Sequence, residues 1–184
     1  IGDGDQAVVE ALVQFAALNQ HHGAVSLLAT WSDEANSPTA VAWNQRAANQ
    51  GDPQAMSRLG FYYSHGKHVS ANLDEAVKWF ESAAEQKQPE ALFYLGECHL
   101  YGNGMEANAE IAVDFLNQAH EAGEARATNL LGACYAKGRG VEANAVRARE
   151  LYEEAVTRGD LTAYGNLGVL YMQGSGVDSD PEKA

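Results

Sequence analysis

The sequence predicts an all-α fold, a solenoid of antiparallel helix pairs, and three observations predict it. Leu59, Leu95, Leu131 and Leu167 stand 36 residues apart, and each is followed by a glycine, Gly60, Gly96, Gly132 or Gly168. A second glycine set, Gly66, Gly102, Gly138 and Gly174, recurs at the same interval, and so do Asn72, Asn108, Asn144 and Asp180. A fixed internal period of this length marks a stacked repeat array, in which each unit hides its apolar flank against the next.

Taken in order, Asp5 to Gln20 reads as a helix, with Ala7, Val8, Ala11, Leu12, Phe15 and Ala16 at three- and four-residue intervals. Ala16 to Ala24 has the spacing of Ala47 to Ala55, so this helix is expected to be the second of a degenerate amino-terminal capping unit. From Ala24 a shortened unit follows, with Leu28-Ala29 in place of Leu-Gly. Ser37 is read as its N-cap, with Pro38 at the first helical position. Trp43 stands one period before Trp79. Residues 1–54 are therefore assigned to capping helices and a shortened repeat, and 55–184 to regular units over 55–90, 91–126, 127–162 and 163–184, the last incomplete.

Each regular unit opens with a helix whose stripe at i, i+4 and i+8, such as Ala55, Leu59 and Tyr63, faces the core. A left-handed glycine is expected to end it, and Asn72, Asn108, Asn144 or Asp180 to cap the second helix, with Pro181 directly after the last of these. Small residues then recur where helices must approach, at Ala76, Ala112, Ala148 and Ala184 and at Ala83, Ala119 and Ala155. Gly60, Gly96, Gly132 and Gly168 lie inside helices, where glycine costs about 0.5–1 kcal/mol against alanine. Recurrence of that cost points to a close helix contact at each site. Because only the start of a second helix follows the fourth Leu-Gly helix, its apolar side is expected to be covered by further chain or by another copy.

Composition narrows the function. Hydrophobic residues make up 46% and charged residues 20%, as in folded domains. A net charge of −13 argues against nucleic acid, which needs clustered Lys and Arg, and inclines the surface towards basic partners. No apolar run approaches the roughly 20 residues of a membrane span. Ile1-Gly-Asp-Gly-Asp has neither an initiator Met nor a signal pattern, and is expected to be an excised or processed end. Cys98 and Cys134 stand one period apart, on equivalent helices expected about 8–10 Å from each other, too far for a disulfide. They are read as free thiols packed as small hydrophobes, which leans the compartment towards a reducing one.

The pattern Ala-x3-Leu-Gly-x2-Tyr-x2-Gly-x-Gly-Val, followed by a helix with paired alanines, resembles the Sel1-like repeat, a relative of the tetratricopeptide repeat. Ala127 to Thr162 matches it nearly throughout; departures are His99 for the Tyr, Met105 for the Val, and Lys67-His68 where other units have x-Gly. The resemblance implies antiparallel helix pairs coiled into a right-handed superhelix, an adaptor that holds protein or peptide partners on its concave surface. It also implies that many relatives are bacterial, several serving envelope or secretion processes, and it supplies no catalytic residue.

The remaining motifs carry little chemistry of their own. Gly102-Asn-Gly104, Gly138-Arg-Gly140 and Gly174-Ser-Gly176 each follow a helix and recur with the period, whereas a phosphate loop follows a strand and opens a helix. None of His21, His22, His65, His68, His99 and His120 has Cys or carboxylate partners at zinc-site spacing. No Ser or Cys motif carries an assigned base. The expectation is a protein that is not an enzyme and takes no cofactor or metal. By analogy with tetratricopeptide helices, partner contacts are expected from the first helix of each unit: Phe61, His65, Phe93, Glu97, Tyr101, Asn129 and Lys137. Phe61, Phe93 and Tyr101 read equally as interface anchors or as packing against neighbouring units, and Asn129 offers an amide to a peptide backbone. An open carboxyl-terminal face would instead serve a structural spacer or a scaffold that pairs with its own copy.

Overall fold

The computed structural model describes residues 11, 13–19 and 21–173. After a helical stretch over residues 13–18 come α1 (His22–Glu34), α2 (Ala40–Asn49), α3 (Pro53–His65), α4 (Leu73–Ala84), α5 (Pro89–Tyr101), α6 (Ala109–Glu121), α7 (Ala125–Lys137), α8 (Ala145–Thr157) and α9 (Ala163–Gln173). No strand occurs among the described residues. The sequence-expected start of the first helix at Asp5, together with Gly174, Gly176, the Asp180-Pro181 cap, Ala184 and the uncovered carboxyl-terminal face, lies outside them.

The chain packs as two compact units, residues 1–88 and 89–184. In the first, α1 pairs with α2, α2 with α3 and α3 with α4. Its core is built of Ala17, Val25, Leu28, Ala47, Ala55, Leu59 and Tyr62, with Trp31, Trp43 and Trp79 packed against it. In the second, α5 pairs with α6, α6 with α7, α7 with α8 and α8 with α9. Tyr152, Ala155, Leu167 and Leu170 form part of its interior.

Three helix pairs, α3 with α4, α5 with α6 and α7 with α8, are closed by the same local chemistry. Asn72 Oδ1 accepts from Glu75 N at 3.1 Å, Asn108 Oδ1 from Glu110 N and Ile111 N at 3.1 Å each, and Asn144 Oδ1 from Arg147 N at 2.9 Å. These side chains satisfy donors that the first helical turn leaves unpaired. The backbone N–H of the same three residues donates back to the last turn of the first helix, at Tyr63 O, His99 O and Tyr135 O, over 2.8, 2.8 and 2.9 Å. One asparagine therefore both starts the second helix and ties it to the first.

Two sequence expectations need correction. Ser37 does not cap a helix beginning at Pro38. Thr39 occupies the N-cap of α2, without a side-chain capping bond, and Ser37 Oγ instead accepts from Thr39 N at 3.2 Å inside the preceding turn. The core stripe of α3 runs Ala55, Leu59 and Tyr62 rather than Tyr63, which is half-buried. Steps of three and of four both stay on one helical face. A further cap, Asp52, escapes the sequence reading: its Oδ1 caps α3, accepting from Gln54 N at 2.9 Å and Ala55 N at 3.2 Å, with Pro53 at the first helical position.

Lys87 has a left-handed backbone (φ 58°) at the repeat position where Gly51, Gly123 and Gly159 have φ of 93°, 91° and 96°. That conformation costs a side-chain-bearing residue about 1–2 kcal/mol, partly offset by the greater chain freedom glycine would lose on folding. Lys87→Gly should therefore raise stability by about 0.5–1 kcal/mol in a urea titration, and Gly159→Lys should lower it by a similar amount. A destabilised Lys87→Gly variant would mean that the lysine side chain contributes more than its backbone strain costs.

Candidate protein-binding surface

In the second unit, the first helices of successive repeats contribute to one cleft of about 320 Å³. Phe93 and Glu97 of α5, Arg126, Asn129, Leu130 and Ala133 of α7, Asp160 and Thr162 before α9, and Asn166 within α9 line it. Three of the sequence-expected contact residues, Phe93, Glu97 and Asn129, are thus brought together. Arg126, Asp160 and Asn166 join them.

Phe93 is only 7% exposed, because the Arg126 guanidinium lies 4.6 Å above its ring and 5.3 Å from that of Tyr94. Arg126 is fixed from several sides: Nε donates to Glu124 Oε1 at 2.9 Å, Nη1 to the Tyr94 hydroxyl at 3.2 Å, and Nη2 to Glu90 Oε1 at 3.1 Å and Glu124 Oε2 at 3.4 Å. Burial works against its charge, but the hydrogen bonds to Glu124 and Tyr94 outweigh it and raise its pKa further above the ordinary arginine value. Asn129 donates to Asp160 Oδ2 at 2.9 Å and Thr162 Oγ1 at 2.7 Å, and accepts from Asn166 Nδ2 at 2.8 Å. Its amide is engaged in a ladder between α7 and the start of the next repeat.

The other expected contact residues lie apart from this cleft. Tyr101 ends α5 and is 51% exposed, with the Arg139 guanidinium 5.1 Å from its ring and Arg139 Nη2 donating to Leu100 O at 2.7 Å. Lys137 is exposed in the last turn of α7. In the first unit His65 is exposed and stacks on half-buried Phe61 at 4.2 Å, its Nδ1 within 2.8 Å of Ser64 Oγ. Gly60, Gly96 and Gly132 each face a large side chain of their partner helix. A Cβ there would come within 2.4 Å of Phe80, 2.7 Å of Leu116 and 2.8 Å of Tyr152, respectively. Gly168 is buried in α9.

Burial and pairing shift the titration of several groups. Burial pushes the Cys98 thiol up to about 11 and raises that of Cys134, and both thiols are free. Burial raises the Asp33 carboxyl, with the Arg58 guanidinium 2.9 Å away pulling it back. In the second unit, fully buried Thr128 donates to Glu124 O at 3.1 Å. Its oxygen stands 3.0 Å from His120 Nδ1 and accepts from Arg158 Nη1 at 3.1 Å.

Burial holds the His120 imidazole below its ordinary value of 6.5, against the opposing pull of Glu154. The unfolded chain therefore takes up a proton near pH 6.5 that the folded chain resists. This contribution to stability is complete above that pH and is lost as the pH falls below it. The urea midpoint should decline across that window, and His120→Gln should flatten the decline; an unchanged slope in the variant would assign it to other groups.

Among the described residues no group of three His, Cys, Asp or Glu could hold a metal ion, and no helix is long and apolar enough to cross a membrane.

The comparisons with known proteins agree with this architecture. The Sel1 repeat matches residues 33–52, 53–87, 89–124, 125–160 and 162–184. A Sel1 repeat protein from Oxalobacter formigenes is 32% identical with a TM-score of 0.80, over 89% of this chain and 67% of its own. A protective antigen present in uropathogenic Escherichia coli strains, displaying an SLR fold, is 30% identical with a TM-score of 0.80 over 93% of this chain, which spans 38% of that protein. An immunity protein from Pseudomonas aeruginosa shares the fold, with a TM-score of 0.60 at 20% identity, over 100% of this chain and 66% of its own. None of the curated proteins matches the chain significantly. Sel1 repeat proteins are commonly scaffolds for protein interaction and typically non-catalytic. With five matched segments, helix pairs closed by recurring asparagines, and two solved relatives at 30% identity or more, the chain belongs to the Sel1 repeat family and has its all-α solenoid fold.

Proposed function

We propose that this chain is a non-enzymatic adaptor that holds a segment of a partner protein on the first-helix face of its repeats, the face that the family resemblance makes concave. The observation that carries this reading is the cleft of the second unit, lined by the first helices of adjoining repeats and by both apolar and polar side chains. A groove lined by residues of several repeats suits an extended or helical peptide, because each repeat presents its contacts one period further along. The division proposed for the chain is capping helices and a shortened repeat over residues 1–54 and regular repeats over 55–184.

Panning a peptide library against the chain, and then against Ala133→Arg, tests the proposal. Ala133 is a small, half-buried lining residue that also packs against the interior of the second unit, so the variant is used with an unchanged Tm as the control that its helices stay in place. Selected peptides should lose at least about tenfold in affinity, a loss of about 1.4 kcal/mol. Peptides that bind both forms equally would move the binding surface elsewhere.

A second reading is a structural scaffold that pairs with its own copy, and it rests on Leu161, Tyr164, Val169 and Met172, large apolar residues that stand exposed on and beside α9. A concentration-dependent rise in mass by light scattering, abolished by Met172→Glu, would favour it.

A further inference from the structure

The cleft of the second unit turns its donors inward and is bordered by carboxylates. Arg126 directs its N–H groups at Glu124, Tyr94 and Glu90. Both amide hydrogens of Asn129 go to Asp160 and Thr162, and Asn166 donates to Asn129. Carboxylates outnumber cations around it: Glu97 and Asp160 stand in its walls, and Glu90 and Glu124 flank Arg126, the one cation among the described lining residues. Its apolar surface comes mainly from half-buried Leu130 and Ala133, since the Phe93 ring lies beneath Arg126.

We infer that this cleft receives a basic side chain, so that the partner segment carries a lysine or arginine where it crosses α5 and α7. The inference rests on the adaptor reading above and adds the partner's chemistry. The methylene stem of lysine or arginine lies along apolar surface while its charged end seeks acceptors, and here Leu130 and Ala133 line the same cleft as the carboxylates of Glu97 and Asp160. An incoming anion would meet the same carboxylates, and four hydrogen bonds to Glu124, Glu90 and Tyr94 already engage the Arg126 guanidinium. The net charge of −13 adds attraction at longer range for a basic segment.

The experiment follows the side-chain amide resonances of Asn129 and Asn166 in the isotopically labelled chain. The probes are a short acetylated peptide of alternating lysine and serine and its glutamate and glutamine counterparts. The lysine peptide should shift those resonances saturably, less so at high salt, and Glu97→Gln should weaken it about three- to tenfold. The glutamate peptide should leave them unmoved. Equal shifts from the glutamate or the glutamine peptide would overturn the charge assignment and leave the docking surface standing. Lysine-peptide shifts confined to the outer carboxylates of α8, Glu150 and Glu153, would overturn it as general acidic attraction. Should no peptide move the cleft, and Ala133→Arg also leave library-selected binders unaffected, the docking surface itself fails.

Discussion

Gly140→Ala is expected to lower the stability of the second unit by about 2–5 kcal/mol. Two costs add. Gly140 has φ of 71°, a left-handed conformation worth about 1–2 kcal/mol to any residue with a Cβ. The added Cβ would also lie 2.0 Å from Ala109 O and 2.4 Å from Ala109 C, the first residue of α6. Backbone at a capped helix start cannot swing aside as a side chain can, so overpacking adds about 1–3 kcal/mol.

Gly138→Ala separates the two costs. Gly138 is also left-handed, with φ of 66°, but its Cβ would come no nearer than 3.3 Å to the Ala143 methyl and 3.5 Å to Ala143 N. The expected fall in Tm for Gly140→Ala is about 10 °C or more, at least twice that for Gly138→Ala. Equal falls would mean that the loop does not press on α6. Arg139, between the two glycines, ties the same loop to the preceding repeat by its bond to Leu100 O. In the first unit the equivalent of Gly140 is His68, with φ of 61° and Nε2 3.2 Å from Asn36 Oδ1. The shorter connection between α1 and α2 there sets a side chain, not a helix start, against the loop.

The parts of the fold legible in the sequence are those where one chemical demand recurs in every repeat. Asn72, Asn108 and Asn144 each meet the same unpaired donors, and Gly66 and Gly138 each end a helix in the same left-handed turn, so a fixed interval exposes them. The cleft is the opposite case. Arg126 stands where the other repeats have Gln54, Glu90 and Thr162, and Asn166 where they have Arg58, Tyr94 and Leu130, so comparing repeats cancels the residues that make this one distinct. Phe93 reads as an exposed aromatic on α5 alone; its burial is supplied by Arg126, 33 positions later. Asp52 escapes for a related reason. At the same place in later repeats stand Gln88, Glu124 and Asp160, so no one residue type runs through all the repeats to mark a cap.

The second large effect concerns the glycine inside α7. Gly132→Ala should cost about 1–3 kcal/mol, because its Cβ would stand 2.8 Å from Cδ1 and Cε1 of Tyr152 and 3.3 Å from Ala148 O. Tyr152 is 3% exposed, and burial pushes its hydroxyl up to about 12, so the ring has no solvent to retreat into. Tyr152→Ala alone should cost about 3–5 kcal/mol by leaving a cavity. Combined, the two should cost less than their sum by about 1 kcal/mol or more, since the new methyl group enters the space the ring has left. Additivity within about 0.5 kcal/mol would show that the two sites do not compete for volume. The same glycine-to-large pairing recurs at Gly60 with Phe80 and Gly96 with Leu116, each 20 residues apart, so this contact sets how closely the two helices of a repeat approach. Leucine at Gly132 adds still more volume against the same ring, and its loss should exceed that of alanine.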